Sequence, residues 1–466
     1  MLRICKLFGL SFLLAFFPVF WKYGAFSFPT PAVLEYLWRD SRLWEMIRVV
    51  LYAAGAITLL CLLVDAWRHH SGKILARAAG LAVVFGVVMH FLAVFQVVEY
   101  LLQPRDFSPL VDAHFVKPET AKISARKPRN LLVLSLESMD LSYLDARGGA
   151  EKVLPRLTKL AADNLAFSHY RDGFFQGYTF GSLLSVQSGT SFIPTHLGVT
   201  VKATQTVEKL HKILPRALTL SDILAQHGYQ LLFVSSSVAE FLHTKDFLLQ
   251  HSYPAANIFS ADFNRDDPDL REAADAEKRL GQDWWGFPDA LMLEFLKKKV
   301  TAMAAKGRFF AWYSSIDTHY GFCPYLCPAR FADNRVNHYA HADDLVADFI
   351  AWAQKQPWYA DTSIAIFADH ATLEKLADSE EDNTGNELYH AFVNVPLAPA
   401  KKDRVFNQVD LFPTLLNAAG FDIEGGRLGI GTSLFGQKPT LNEKYGEKLL
   451  RRELTRRSRA MEALWE

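Results

Sequence analysis

The hydrophobic pattern divides the chain in two. Up to Leu102 apolar residues come in long unbroken runs; from Asn130 onward they come in short runs of strand or helix length. Residues 5–21, 49–66 and 78–102 are each long enough to cross a hydrocarbon core. The first run, with Arg3 and Lys6 at its start, fits a signal peptide or a membrane helix, and with no small-x-small cleavage site after it a retained anchor is expected. The loop WRHHSGKILAR between the second and third runs holds Arg68, Lys73 and Arg77 and no acid. Such a loop stays on the cytoplasmic side, which puts everything after Leu102 on the other side. Residues 1–102 are therefore predicted as an anchor of about three transmembrane helices.

Residues 103–129 carry Pro104, Pro109, Pro118 and Pro128 and little periodicity, which predicts a linker over the membrane surface. Lys117, Lys122, Arg126, Lys127 and Arg129 are there either to touch lipid phosphates or to be solvated. From 130 to 440 the pattern predicts an α/β domain. NLLVLSLES (130–138), QLLFVSSS (230–237), RFFAWYSSIDTH (308–319) and TSIAIFADH (362–370) are apolar without alternation, as strands buried on both faces are. Helical patterns over 154–164, 218–227, 289–305, 343–354 and 409–419 lie between or after them, giving a central, mostly parallel sheet flanked by helices. Residues 441–466, with Lys448, Arg451, Arg452, Arg456, Arg457 and Arg459 among several glutamates, are predicted as a solvated charged helix, the alternative being a clamp for an anionic surface or acceptor.

Composition adds two bounds. Lys plus Arg number 50 and Asp plus Glu number 50, so no overall bias points to nucleic acid. Cys323 and Cys327 form a CPYLC pair with no second pair to complete a thiolate metal site, and outside the cytoplasm a loop-closing disulfide is expected there.

The candidate chemistry sits where apolar runs end in charge. Glu137 ends the first, Asp317 and His319 the third, Asp369 and His370 the fourth. Parallel strands share their carboxyl-end side, so these groups are expected to converge at one sheet edge. Carboxylate oxygens with an imidazole suit manganese or zinc, whereas magnesium rarely takes imidazole. In FFQGYTFGSLLSVQSG, Thr179 is placed at a helix N-terminus, where free amides favour an anion and a nearby cation makes its hydroxyl a nucleophile. His390, in ELYHAF, is expected in the core or on the surface rather than on a second ion.

Glu137 after NLLVLSL, the GYTFGSLLSVQSG segment, DWWGF at 283–287, DTH at 317–319, FADH and VDLFPTLLNAAG together resemble the alkaline phosphatase and sulfatase superfamily. Within it, the motif order from 130 to about 435 is most similar to the membrane-anchored phosphoglycerol transferases and lipoteichoic acid synthases. The resemblance implies that Glu137, Thr179, Asp369 and His370 hold one divalent ion, manganese or zinc, with a second ion possible. It implies that Thr179 is the nucleophile, that His319 contacts the transferred phosphate and moves a proton, and that Lys245, with His243 close by, and Asp317 face the substrate.

The implied reaction takes a headgroup from a phospholipid donor, through phosphothreonine, to a hydroxyl of an envelope glycan. The implied place is a bacterial inner membrane, multi-pass, with the catalytic domain periplasmic. Phosphoethanolamine transfer to lipopolysaccharide sugars is the alternative, using the same residues. A sulfatase or phosphodiesterase is disfavoured, because a sulfatase needs Cys or Ser in a C/S-x-P/A-x-R setting and Thr179 is followed by FGS. A non-catalytic envelope scaffold is disfavoured because all the metal-type residues are retained.

Overall fold

The computed structural model describes residues 107–173, 178–191, 212–280, 286–319, 327–372, 386–454 and 456–465. The three apolar runs expected to span a membrane lie outside the described residues. Among the described residues no helix is long and apolar enough to cross a membrane. The chain divides into Met1–Arg105 and Asp106–Glu466, and all the described residues belong to the second unit.

Its centre is a six-stranded sheet. In chain order the strands are β1 (Asn130–Leu136), β2 (Gln230–Ser235), β3 (Ile258–Phe259), β4 (Phe309–Ser314), β5 (Thr362–Ala368) and β6 (His390–Val393). They lie in the order β3-β2-β4-β1-β5-β6, with only the β5–β6 pair antiparallel. Every residue of β1, β4 and β5 is buried, which is why these runs show no alternation. β1 lies between β4 and β5, with Ser135 opposite Ser314 and Leu136 opposite Ala368. The apolar runs that end in Glu137, in the DTH and in the ADH are thus adjacent strands with aligned ends.

The main helices are α1 (Pro109–His114), α2 (Pro155–Asp163), α3 (Thr179–Ser188), α4 (Leu220–Gln226), α5 (Thr244–Gln250), α6 (Asp289–Ala304), α7 (Asn334–Ala353), α8 (Gln408–Ala418) and α9 (Glu447–Leu454). α6 packs on α7 and α7 on α2, while α3 packs on α4 and α8; α4 and α6 both reach β2. Capping boxes start α4 (Thr219 with Asp222) and α8 (Asn407 with Asp410), each satisfying two amides that a helix start leaves open. α3 ends at Gly189, at φ +66°, where an added Cβ would lie 2.8 Å from the Leu428 carbonyl oxygen and 2.9 Å from Phe412. Only glycine allows that close approach without strain, and it fixes α3 against α8.

Three expectations are corrected. From Phe107 on, the stretch expected as a linker belongs to the domain. Pro109 and Pro118 each sit at the start of a short helix, and Ile123–Ala125 pairs antiparallel with Phe421–Ile423. Prolines tolerated at a first helical position read, in sequence alone, like linker prolines. The charged C-terminus is not one helix but Leu441–Tyr445, α9 and Arg459–Glu462, interrupted at Gly446 (φ +74°) and Ser458. These bury Leu441, Leu450, Leu454 and Met461 against Val111, Val409 and Ile430. Finally, α7 begins at Asn334 rather than near Asp343, capped by Asp333; its early turns bury Arg335, Asn337 and His338, polar residues that hide the helical period.

Candidate active site

At the end of β1 the chain turns sharply: Ser138 has φ +49°, a conformation non-glycine residues rarely adopt and one that concentrates at functional sites. The turn is held from both sides. The Ser138 amide donates to Asp369 Oδ1 at 2.8 Å, its hydroxyl donates to Glu137 Oε1 at 2.7 Å, and its carbonyl accepts from the Tyr339 hydroxyl at 3.0 Å. The loop after β4 grips Glu137 itself, since Ser315 Oγ accepts from its amide at 2.8 Å and Thr318 Oγ1 donates to its carbonyl. The ends of β4 and β5 therefore orient a carboxylate that is 1% exposed.

Around that carboxylate the expected groups converge. Thr179, the first residue of α3, donates its hydroxyl to Glu137 Oε2 at 3.1 Å. His370 Nε2 lies 3.5 Å from Glu137 Oε1 and 3.4 Å from Asp369 Oδ2. His370 Nδ1 faces the Ala371 carbonyl at 2.7 Å, and an N–H there leaves the Nε2 lone pair turned toward the carboxylates. Glu137, Asp369 and His370 each offer a ligand atom, all within 4.8 Å of one another.

These spacings fit a cation better than an ion pair. Gaps of 3.4 and 3.5 Å from Nε2 are long for a charge-assisted hydrogen bond. They are close to the separation of about 3.3–3.6 Å between ligand atoms placed tetrahedrally around an ion with 2.0–2.2 Å bonds.

The electrostatics agree. Burial pushes Asp369 up to about 7, and the charge of Glu137 adds to it. Burial works against the His370 imidazolium, but Asp369, Glu137 and Asp172 outweigh it and raise that group to about 9. Burial also opposes charge on Glu137, yet His370, His319 and the hydroxyls of Ser138 and Thr179 hold it below the usual carboxylate range. Acids crowded around one imidazole in a buried site form a donor set that a divalent cation would neutralise.

His319 lies close enough for its charge to act on Glu137. Its loop is tied down by its own amide, which donates to the Ile316 carbonyl at 2.8 Å, and by Arg335, whose Nη1 donates to the His319 carbonyl at 2.7 Å. Arg335 Nη2 reaches Thr372 Oγ1 at 3.3 Å, so one guanidinium spans the loops after β4 and β5.

Three expected substrate contacts are placed elsewhere. Asp317 points into the interior, where its Oδ1 accepts from the Asp289 amide at 3.3 Å; burial and then the neighbouring Asp289 push it well above the usual range. Asp289 in turn accepts from the amides of Ile316 (3.0 Å) and Asp317 (2.8 Å) and from the Tyr313 hydroxyl (2.8 Å). The pair holds the loop carrying His319. Lys245 is paired with Glu240, and His243 faces Asp246 at 3.0 Å. Neither belongs to the cluster, although α5 adjoins α3 through Phe247 and Phe180, with ring centroids 6.0 Å apart. His390 is a core residue: its Nε2 accepts from the Phe167 amide at 2.9 Å, and burial lowers it to about 4.

Sequence reasoning missed the support beneath the cluster. Asp172 accepts from the Ala371 amide at 3.0 Å and from Gln408 Nε2 at 2.9 Å. Gln408, the first residue of α8, also donates to the Asp369 carbonyl at 2.8 Å and accepts from the Gly173 amide at 2.9 Å. This network ties the Asp369–His370 loop to the segment that leads into Thr179. Its only sequence signal was adjacency, since Gln408 directly precedes VDLFPTLLNAAG and Asp172 precedes GYTFG by a few residues. Cys327 is disulfide-bonded, while Cys323 lies outside the described residues.

Among curated proteins, the chain is similar to "Phosphoglycerol transferase I" of Salmonella choleraesuis (strain SC-B67), at 26% identity over 320 residues, or 66% of this chain and 39% of that protein. The protein of the same name from Salmonella arizonae is 26% identical over 344 residues, covering 71% of this chain and 42% of its own length. The chain thus spans about two fifths of the length of these curated relatives. Among solved structures, an alkaline phosphatase superfamily protein from Vibrio parahaemolyticus has a TM-score of 0.49 at 19% identity, covering 67% of this chain and 74% of that one. The sulfatase family model matches residues 129–421, well over half of the 466. The chain belongs to the sulfatase family, within the alkaline phosphatase/sulfatase superfamily.

Proposed function

We propose that the protein is a metal-dependent phosphotransferase that moves a phosphoglycerol headgroup from a phospholipid to a hydroxyl of a cell-envelope glycan. The observation that carries this reading is the Thr179 hydroxyl. It stands at the N-terminus of a ten-residue helix and is hydrogen-bonded to Glu137 in the Glu137–Asp369–His370 cluster. The headgroup is taken from the similar Salmonella proteins, which are phosphoglycerol transferases by name. Glu137, Thr179, Asp369 and His370 would hold the ion, manganese or zinc, and when bound it would lower the Thr179 pKa and offset phosphate charge.

In the first half-reaction the Thr179 oxygen bonds to phosphorus and the bond from phosphorus to the diacylglycerol oxygen breaks. The amides at the start of α3 face the phosphate charge. The Thr179 proton leaves along its hydrogen bond to Glu137 Oε2, and His319 protonates the departing oxygen. In the second half-reaction the acceptor hydroxyl gives its proton to His319 as its oxygen bonds to phosphorus, the bond from phosphorus to the Thr179 oxygen breaks, and that oxygen takes its proton back from Glu137, restoring the threonine. Residues 1–102 would tether the domain at a bacterial inner membrane, facing the periplasm, and keep the lipid donor at high effective concentration. The bonded Cys327 is consistent with an oxidising compartment.

Thr179→Ala should abolish headgroup transfer while leaving thermal unfolding nearly unchanged. In the parent, a phosphoglycerol adduct on Thr179 should appear by mass spectrometry when lipid is supplied without acceptor. Undiminished transfer by the alanine variant would refute the assignment.

A further inference from the structure

A short antiparallel hairpin, Arg427–Leu428 with Gly431–Thr432, places Arg427 directly opposite Thr432, so the two side chains share one face. The hairpin is pinned between two helices of the candidate site. The Ile430 amide donates at 2.9 Å to the carbonyl of Gly189, which ends α3, and Gly431 lies so close to the start of α8 that an added Cβ would collide with the Val409 carbonyl oxygen. Thr179 opens α3 and Gln408 opens α8.

The shared face carries three buried donors. Arg427 Nε and Nη2 and Thr432 Oγ1 have no hydrogen-bond partner among the described residues. Nε and Nη2 form one edge of the guanidinium, the fork that grips paired oxygens. Asp410 does not fill that fork. Burial disfavours the Arg427 charge and Asp410 favours it, yet the Asp410 oxygens accept instead from the amides of Thr432 at 2.8 Å and Asn407 at 3.2 Å. Carboxylate and guanidinium balance in charge while the fork stays open. A buried donor left without a partner is rare in folded proteins and points to an ion or water that accepts from it.

We propose that the Arg427 fork and the Thr432 hydroxyl form a binding site for one tetrahedral oxyanion of the phosphate class. Two of its oxygens meet the fork and a third meets the hydroxyl, which a carboxylate, with only two, cannot match. Arg427 is half-buried, as are Tyr445 near it and His114, whose Nε2 lies 2.9 Å from the Tyr445 hydroxyl, so a small ion can reach the fork from solvent. Burial pushes Asp410 up to about 7, so below that pH it takes a proton and the arriving anion meets no carboxylate. The other charged groups around the pair are Arg404, which is paired with Glu443 at 2.8 Å, and Lys444 beside His114. A bound ion would fasten the hairpin between α3 and α8 without touching the Glu137–Asp369–His370 cluster.

The test follows amide hydrogen exchange of the full chain near pH 6 in inorganic phosphate, in glycerol phosphate and in chloride at equal ionic strength. Exchange over 427–433 is expected to be several-fold slower in phosphate than in chloride. Equal protection by glycerol phosphate extends the site to phosphate esters, and protection by inorganic phosphate alone assigns it to the free ion. Arg427→Gln should remove the protection. Thr432→Val, close to isosteric and so safe for the fold, should raise the phosphate needed for half-protection about tenfold. Equal exchange of the parent in phosphate and chloride, with water alone filling the site, overturns the proposal. Protection that persists unchanged in the valine variant overturns it as well, because phosphate is then bound elsewhere.

Discussion

Gln408→Met tests whether the polar network under the cluster positions the metal ligands or only holds the fold together. Methionine keeps the length and removes three bonds: to Asp172 at 2.9 Å, to the Asp369 carbonyl at 2.8 Å and from the Gly173 amide at 2.9 Å. Gln408 is fully buried, and each polar group left without a partner costs about 1–3 kcal/mol. Water entering the space relieves part of this, so the expected loss of stability is about 3 kcal/mol, the low end of the sum. The sharper readout is metal affinity. The Asp369 carbonyl belongs to one of the proposed ligands, and the Ala371 amide held by Asp172 directly follows His370. Supports of this kind are worth about 10–100-fold in metal affinity, equivalent to about 1.4–2.7 kcal/mol. Chelator competition with zinc or manganese measures that ratio without reference to turnover, and thermal unfolding with and without metal measures the stability. A variant that loses stability but binds metal like the parent would show that the network is ordinary packing and does not position the ligands.

Asp289→Asn keeps the shape of the carboxylate but leaves one acceptor oxygen for the Ile316 and Asp317 amides and the Tyr313 hydroxyl. About 1–3 kcal/mol should be lost from the loop, seen as faster amide exchange over 315–319 and slower transfer with metal affinity unchanged; unaltered exchange would remove Asp289 as the loop's anchor. A pH prediction follows for the metal-free protein. Asp369 is raised from 3.8 to about 7 and His370 from 6.5 to about 9, so the folded chain binds protons that the unfolded chain releases. Their stabilisation is complete below the unfolded values and is lost as pH rises through about 7 and then about 9. Metal-free melting temperatures should therefore fall from pH 6 to about 9, whereas metal affinity should rise over the same range as ligand protons are displaced. A metal-free melting temperature that climbs with pH there would contradict the buried acid cluster.

The part of the site legible in the sequence was the part that is costly to build. An apolar run ending in Glu137 or in Asp369 and His370 places charge at the edge of a buried strand, which is tolerated only where something compensates it. Those residues converged with Thr179. Strand adjacency was not legible, because nothing in the sequence says that β1 lies between β4 and β5. The supports were illegible for a related reason. Ser315, Thr318, Asp172 and Gln408 sit at strand and helix ends, where such residues are common, and only their long-range partners distinguish them. That Lys245 and Asp317 lie outside the cluster was not legible, because a residue type beside a motif says nothing about direction. A basic side chain near α3 was expected on phosphate but is neutralised by Glu240, and the acid of the DTH turns inward to Asp289.

The same distinction explains why the three strand ends differ in kind. At β1 and β5 the first residue past the strand faces the cluster, Glu137 and Asp369 being level with each other across the sheet. At β4 the chain continues past Ser314, and Ser315 and Thr318 are used to hold Glu137 from behind. His319 follows at the far side of a turn closed by its own amide on Ile316. A ligand needs a fixed position at bonding distance, which a strand end supplies. A group that passes a proton in two successive half-reactions must instead meet both a leaving and an incoming oxygen. The place of His319 on a loop, braced by Asp289 and Arg335, suits the proton transfer proposed for it better than a place in the Glu137–Asp369–His370 cluster would.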